Sequence, residues 1–175
     1  MNVAIIGAGP LGRWLALRAA RSGFAVFLED VMPSTLHHAR ETIRRQLSAE
    51  ALTHEQIAFV STIEDAARTA DLIIDCVPDE LESKLEILWL LDRMAPPRAI
   101  FATPTTQLSI GDLAACTYRP RQCIAIAAQP AFLAALEPGA SIPLRPAPDT
   151  SAATVEQVSA FWRKAGFDPQ ILPAG

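Results

Sequence analysis

The chain opens with an apolar strand that runs directly into a glycine turn, Asn2-Val-Ala-Ile-Ile-Gly7-Ala-Gly9-Pro-Leu-Gly12, and an acidic pair, Glu29-Asp30, closes the next apolar run. Strand, tight turn, helix, strand and acid, in that order, commit the chain to a parallel sheet with a helix N-terminus aimed at its mouth. Gly7 permits the tight turn, and Gly9 keeps a Cβ out of the space in front of it. Gly12 lets the helix lie close to the sheet. Pro10 and Leu11 begin that helix, whose unpaired N–H groups and positive dipole end suit a pyrophosphate. The small residues Ala16, Ala19 and Gly23 keep the helix slim, and Val26-Phe27-Leu28 forms a buried strand. The ligand class is therefore a dinucleotide. Asp30 is placed to accept hydrogen bonds from the adenosine ribose. Its carboxylate would repel a 2′-phosphate, and Val31, Met32 and Pro33 bring no arginine, which favours NAD over NADP. The same turn with a later acid also suits FAD, and that alternative stays open at this point.

Composition narrows the remaining classes. With 175 residues, half of them apolar and 19% charged, residues 1–175 are read as one soluble domain. A net charge of −4 argues against nucleic acid and against an anionic membrane surface as partners. No basic leader precedes the first strand, and no apolar run reaches the length of a membrane span. A cytoplasmic location is the expectation. Cys76, Cys116 and Cys123 are odd in number and fit neither a zinc site nor a redox pair, so no metal is expected. Cys76 and Cys123 read as buried, inert thiols. His37, His38 and His54 lie in a polar helical stretch and read as surface residues.

Strand and helix patterns alternate along the chain. Strands are predicted over 3–6, 25–29, 58–61, 72–77, 99–103, 123–128 and 170–172. Helices are predicted over 10–22, 34–49, 64–69, 80–94, 109–115 and 152–165. This order implies an α/β fold of the Rossmann type, doubly wound, with a mostly parallel sheet and helices on both faces. Seven of the fourteen prolines lie between Pro130 and Pro173. Residues 129–150 are therefore predicted to be an irregular excursion, and the helix after them to close near Gly166.

From the fourth strand onward the sequence resembles the NAD-binding domain of the 3-hydroxyacyl-CoA dehydrogenases. The carrying segment is Ala70-Asp-Leu-Ile-Ile-Asp-Cys-Val-Pro78-Asp79-Glu-Leu-Glu-Ser-Lys84. In that family the strand ends in an acid near the nicotinamide ribose, with a lysine five residues on; Asp79 and Lys84 hold those places, and Val77 and Pro78 lead into them. Ala99-Ile-Phe-Ala-Thr-Pro104-Thr105-Thr106-Gln-Leu-Ser-Ile110 is similar to a segment that normally reads Asn-Thr-Ser-Ser-Leu-x-Ile. Pro104 stands at the asparagine position beside the cofactor. Thr106 stands where a serine contacts the substrate oxygen. The resemblance implies hydride transfer between NAD and a 3-hydroxyacyl thioester carried on CoA or on an acyl carrier, and it leaves open a partner chain or a homodimer.

Two departures accompany the resemblance. Arg121 to Pro130 matches a strand that normally ends His-Phe-Phe-Asn-Pro, and the histidine, the family's general base, is Ile126 here. The glutamate that steadies it falls on Pro138 in an ungapped alignment, with Glu137 one residue away. The family's helical second domain is not matched within these residues. The expectation is a cofactor-holding domain that does not turn over substrate by itself. The alternative is a non-catalytic NAD-binding sensor or scaffold.

Overall fold

The computed structural model describes residues 1–49 and 56–175; His54 lies outside them. Eight strands form one sheet in the order β3-β2-β1-β4-β5-β6-β7-β8. The first six are β1 (Asn2–Ile6), β2 (Ala25–Glu29), β3 (Ile57–Val60), β4 (Leu72–Asp75), β5 (Ile100–Pro104) and β6 (Cys123–Ile126). All six run parallel, β1 pairing with β2 on one side and β4 on the other. This is the doubly wound order, and its switch point lies between β1 and β4.

The crossovers are α1 (Pro10–Arg21), α2 (Pro33–Ala49), α3 (Ile63–Ala67), α4 (Leu81–Met94) and α5 (Ile110–Ala115). Strand alternation splits the interior into two cores. Val3, Ile5, Val26, Leu28, Leu72 and Ile74 face α1, α2 and α7 (Ala152–Lys164). Ala4, Ile6, Ile73 and Phe101 face α3, α4 and α5. Short helices are started by side chains: Thr62 accepts from the Asp65 N–H at 3.2 Å and Ser109 from the Asp112 N–H at 3.2 Å.

The proline-rich stretch departs from the expectation of an irregular excursion. It carries a short helix, α6 (Pro130–Leu133), and a strand, β7 (Ser141–Pro146), antiparallel to β6. β8 (Asp168–Ile171) then pairs parallel to β7 and forms the sheet edge. The strand survives its prolines because of where they fall. The carbonyl of Pro143 still accepts from the Ala127 N–H at 2.8 Å, just past the end of β6, and Pro146 is the last residue of β7. On either side of Pro143, Ile142 and Leu144 are wholly buried, which stabilises a strand that proline statistics alone would reject. β4 is also shorter than expected, ending at Asp75, so that Cys76, Val77 and Pro78 belong to a loop at the sheet mouth. The turn after α7 follows the expectation: Gly166 has φ +90° and its carbonyl accepts from the Gly139 N–H at 2.7 Å.

One charged pair is enclosed below the mouth. Lys84 of α4 is fully buried and its Nζ donates to Asp75 Oδ1 at 2.5 Å, with Asp75 itself buried at the end of β4. The bond ties the crossover helix to the strand it follows. Removing one partner strands a buried charge, which typically costs about 3–5 kcal/mol. Lys84→Met should therefore lower the urea-unfolding free energy by about that amount, whereas Asp75→Leu combined with Lys84→Met should recover most of it.

Candidate functional site

At the mouth of the sheet the chain leaves β1 through Gly7, whose φ of +101° is reserved for glycine. The Gly7 N–H donates to the Glu29 carbonyl at 2.9 Å, which fastens the turn to the end of β2. Three residues on, α1 begins with Gly9 as its N-cap and Pro10 in its first turn. No side chain caps this helix, and its first turn contains no acid. The N–H groups of Leu11 and Gly12 thus have no intrahelical acceptor and point at the mouth, at the positive end of the helix.

The three glycines differ in what they permit. A Cβ on Gly12 would stand 1.8 Å from the Gly7 carbonyl oxygen and 3.5 Å from Ile5, so the close approach is to the turn itself more than to the strand. A Cβ on Gly9 would meet nothing within 4 Å. The space in front of Gly9 is open on the protein side and is available to a ligand.

Two adjoining cavities share Gly9 and Cys76. The larger, about 380 Å³, is walled by the turn, by Asp30, Val31 and Thr35 beyond β2, by Ile63 and Ile87 of α3 and α4, and by Val77 and Pro78. The smaller, about 280 Å³, runs from Gly9, Pro10, Leu11 and Gly12 to Pro130, Ala131 and Ala134. Asp30 Oδ2 accepts from the Ala8 N–H at 2.9 Å and Oδ1 from the Met32 N–H at 2.8 Å. The carboxylate is thereby held between the glycine turn and the loop after β2, with lone pairs left for a ligand hydroxyl.

The remaining residues singled out from sequence lie apart from these walls. Asp79 Oδ2 accepts from the Thr106 N–H at 3.0 Å, which joins the loops after β4 and β5, and its Oδ1 is buried without a partner. The Thr106 side chain is exposed, and Pro104 is the buried last residue of β5. Lys84, enclosed with Asp75, presents no ammonium at the surface. Ile126 is fully buried in the core shared with α1 and α7. Glu137 is exposed and pairs with Arg18 of α1 at 3.3 Å rather than turning towards the mouth.

Among the wall residues that the sequence did not single out as site residues, two carry ionisable side chains. Cys76 is half-buried at the junction of the cavities, not in a strand interior; burial pushes its thiol well above the ordinary value and keeps it neutral. Glu29 is buried, yet it is one of the residues that wall the larger cavity. Burial first, then the neighbouring Asp30 charge, push it up to about 7. Strand parity is the signal that would have found it, since Glu29 sits opposite Ile6 and shares a sheet face with Phe27. Cys123 is buried and pushed up to about 11, chiefly by that burial; His37 and His38 are exposed. No group of three or more potential metal ligands occurs among the described residues, and no described helix is long and apolar enough to cross a membrane.

Comparison with known proteins gives a consistent result. The family model "3-hydroxyacyl-CoA dehydrogenase, NAD binding domain" matches residues 2–170. A probable 3-hydroxybutyryl-CoA dehydrogenase of Bacillus subtilis is 31% identical over 134 residues, covering 70% of this chain and 46% of that protein. The lambda-crystallin homolog of Homo sapiens is 31% identical over 180 residues, covering 95% of this chain and 55% of the relative. The chain thus spans about half the length of these relatives. Among solved structures, 3-hydroxybutyryl-CoA dehydrogenase of Escherichia coli K12 superposes with a TM-score of 0.86 at 26% identity, over 99% of this chain and 38% of that one. The (S)-3-hydroxybutyryl-CoA dehydrogenase of Ralstonia eutropha gives 0.85 at 25% identity, over 99% and 64%.

The glycine geometry separates folding from binding. Gly9→Val should leave thermal unfolding close to that of the parent while abolishing NADH binding in a fluorescence titration. Gly12→Ala should instead lower the melting temperature by several degrees, because its Cβ collides with backbone.

Proposed function

The chain belongs to the family of NAD-binding domains of the 3-hydroxyacyl-CoA dehydrogenases, and from that premise we propose that it seats NAD(H) across the two cavities as the cofactor-holding part of an oxidoreductase acting on a 3-hydroxyacyl thioester. The observation that carries this reading is the Gly7–Gly12 turn, latched by its Ala8 N–H to Asp30 beside open space at Gly9. Leu11 and Gly12 donate to the pyrophosphate. Asp30 accepts from the adenosine ribose, and Val77 and Pro78 cover the cofactor from the β4 side. Asp79 fixes the loop carrying Thr106, and Thr106 would donate a hydrogen bond to the substrate oxygen. The cofactor itself supplies a hydride acceptor for the C3 hydrogen.

Removing the hydroxyl proton requires a base, and this chain offers none at the family's histidine position. Ile126 is apolar and enclosed in the core. A positioned general base contributes roughly 10²–10⁴ in rate, about 3–5 kcal/mol of barrier. This observation favours a second reading, an NAD-binding sensor or scaffold, for these residues taken by themselves.

Two outcomes test the proposal. NADH should bind at least tenfold more tightly than NADPH in calorimetry, and Asp30→Ala should narrow that preference; equal affinity of the parent for both would refute the role given to Asp30. Reduction of acetoacetyl-CoA by the 175-residue chain with NADH should be negligible, and Ile126→His should restore little, since Glu137 stays with Arg18. Robust turnover by the unmodified chain would show that the base lies elsewhere.

A further inference from the structure

The NAD reading leaves one buried acid without a task. Glu29 is only 4% exposed, and among the described residues no hydrogen bond or ion pair reaches its carboxyl. It is nonetheless a wall of the larger cavity, on the sheet face covered by α3 and α4, with Ile6, Ile63, Val77 and Ile87 around it. Asp30, next in sequence, is engaged by the turn and the following loop. The two adjacent acids thus face different parts of one cavity: Asp30 at the turn, and Glu29 on its apolar floor. A carboxyl left without a protein partner among aliphatic walls must be satisfied by water or by a ligand that enters the cavity. Aliphatic walls alone would hold any flat base by stacking.

We propose that the Glu29 carboxyl reads the adenine base of the cofactor, its carbonyl oxygen accepting from the 6-amino group and its hydroxyl donating to the adjoining ring nitrogen. The inference rests on the NAD assignment above and deepens it into base recognition. The neutral acid matches the donor and acceptor of that adenine edge, whereas the carboxylate would face the ring nitrogen lone pair. Glu29 is held protonated towards neutrality by burial and by Asp30. Besides Asp30, the wall carries the Cys76 thiol, which burial keeps neutral. The Asp75–Lys84 pair is closed on itself, and Glu64, Asp65, Glu82 and Glu86 of the covering helices are exposed and off the wall.

The test uses NADH titrations from pH 5.5 to 8.5 on the parent, Glu29→Gln and Glu29→Leu. Alongside them, AMP is compared with purine riboside 5′-monophosphate, which lacks the 6-amino group. The parent should bind NADH with constant affinity below about pH 6 and lose up to tenfold per pH unit above about 7. Glu29→Gln, whose amide both donates and accepts, should stay within about threefold of the parent at pH 6 and show a flat profile. Glu29→Leu should bind NADH about tenfold more weakly and no longer separate the two monophosphates.

Unliganded stability gives an independent readout. Because the folded pKa lies above the ordinary 4.5, the folded chain binds more protons than the unfolded one between pH 4.5 and about 7. Stability should therefore fall as pH rises through that window, and Glu29→Gln should remove this component. A parent that binds NADH with no pH dependence, or does not distinguish AMP from the purine analogue, overturns base reading and leaves the NAD assignment standing. A parent that binds no dinucleotide at any pH overturns both.

Discussion

The contact between Gly12 and the Gly7 carbonyl is the constraint on which the site depends. A Cβ there would lie 1.8 Å from backbone oxygen, so the first turn of α1 can approach the strand end only as glycine. That approach sets the direction of the helix axis. It presents the unpaired N–H groups of Leu11 and Gly12 at the switch point between β1 and β4, where crossovers leave in opposite directions and open a crevice. The Gly7 N–H on the Glu29 carbonyl and the Ala8 N–H on Asp30 then lock the turn to the end of β2. Moving any of these partners would displace both the free N–H groups of Leu11 and Gly12 and the Asp30 carboxylate.

The crevice has two chemically different regions. Around the turn it offers N–H groups and the Asp30 carboxylate, suited to hydroxyls and phosphates. Towards α3 and α4 it is aliphatic, with Glu29 as its polar exception. An elongated ligand with a charged middle and a flat aromatic end meets both conditions, which is why a dinucleotide fits better than a free nucleotide or a simple anion. The enclosed Asp75–Lys84 pair stiffens the region below, since neither charge can leave the other without crossing a low-dielectric interior.

The far side of the sheet serves a different purpose. β7 and β8 extend it past β6, and α7 covers the extension by packing Trp162 and Phe161 against Trp14, Phe24 and Phe167. Trp14 sits on α1, so the aromatic cluster also braces the helix that carries the glycine turn. Ile126 belongs to this core. A chain with an ionisable side chain at that position would have to direct it away from the aromatic cluster or leave a charge buried. The isoleucine is thus consistent with the packing around it as well as with an absent base.

Local chemistry determined the parallel α/β architecture, the glycine turn, the acid that follows β2 and the family, because each rests on residues close in sequence: Gly7 to Gly12, Asp30, and the run from Ala70 to Lys84. Tertiary structure decided what depends on neighbours distant in sequence. Prolines at 143 and 146 argued against a strand, but Ile142 and Leu144 bury completely against β6 and α7, and burial outweighed the missing donors. Lys84 held a cofactor-site position by resemblance, whereas α4 docks so that its ammonium meets Asp75 in the interior. Of the acidic pair, the sequence singled out Asp30 and passed over Glu29. Successive side chains leave a strand by opposite faces, but only the docking of α3 and α4 makes the Glu29 face the apolar floor of a cavity, because Ile63 and Ile87 come from distant parts of the chain.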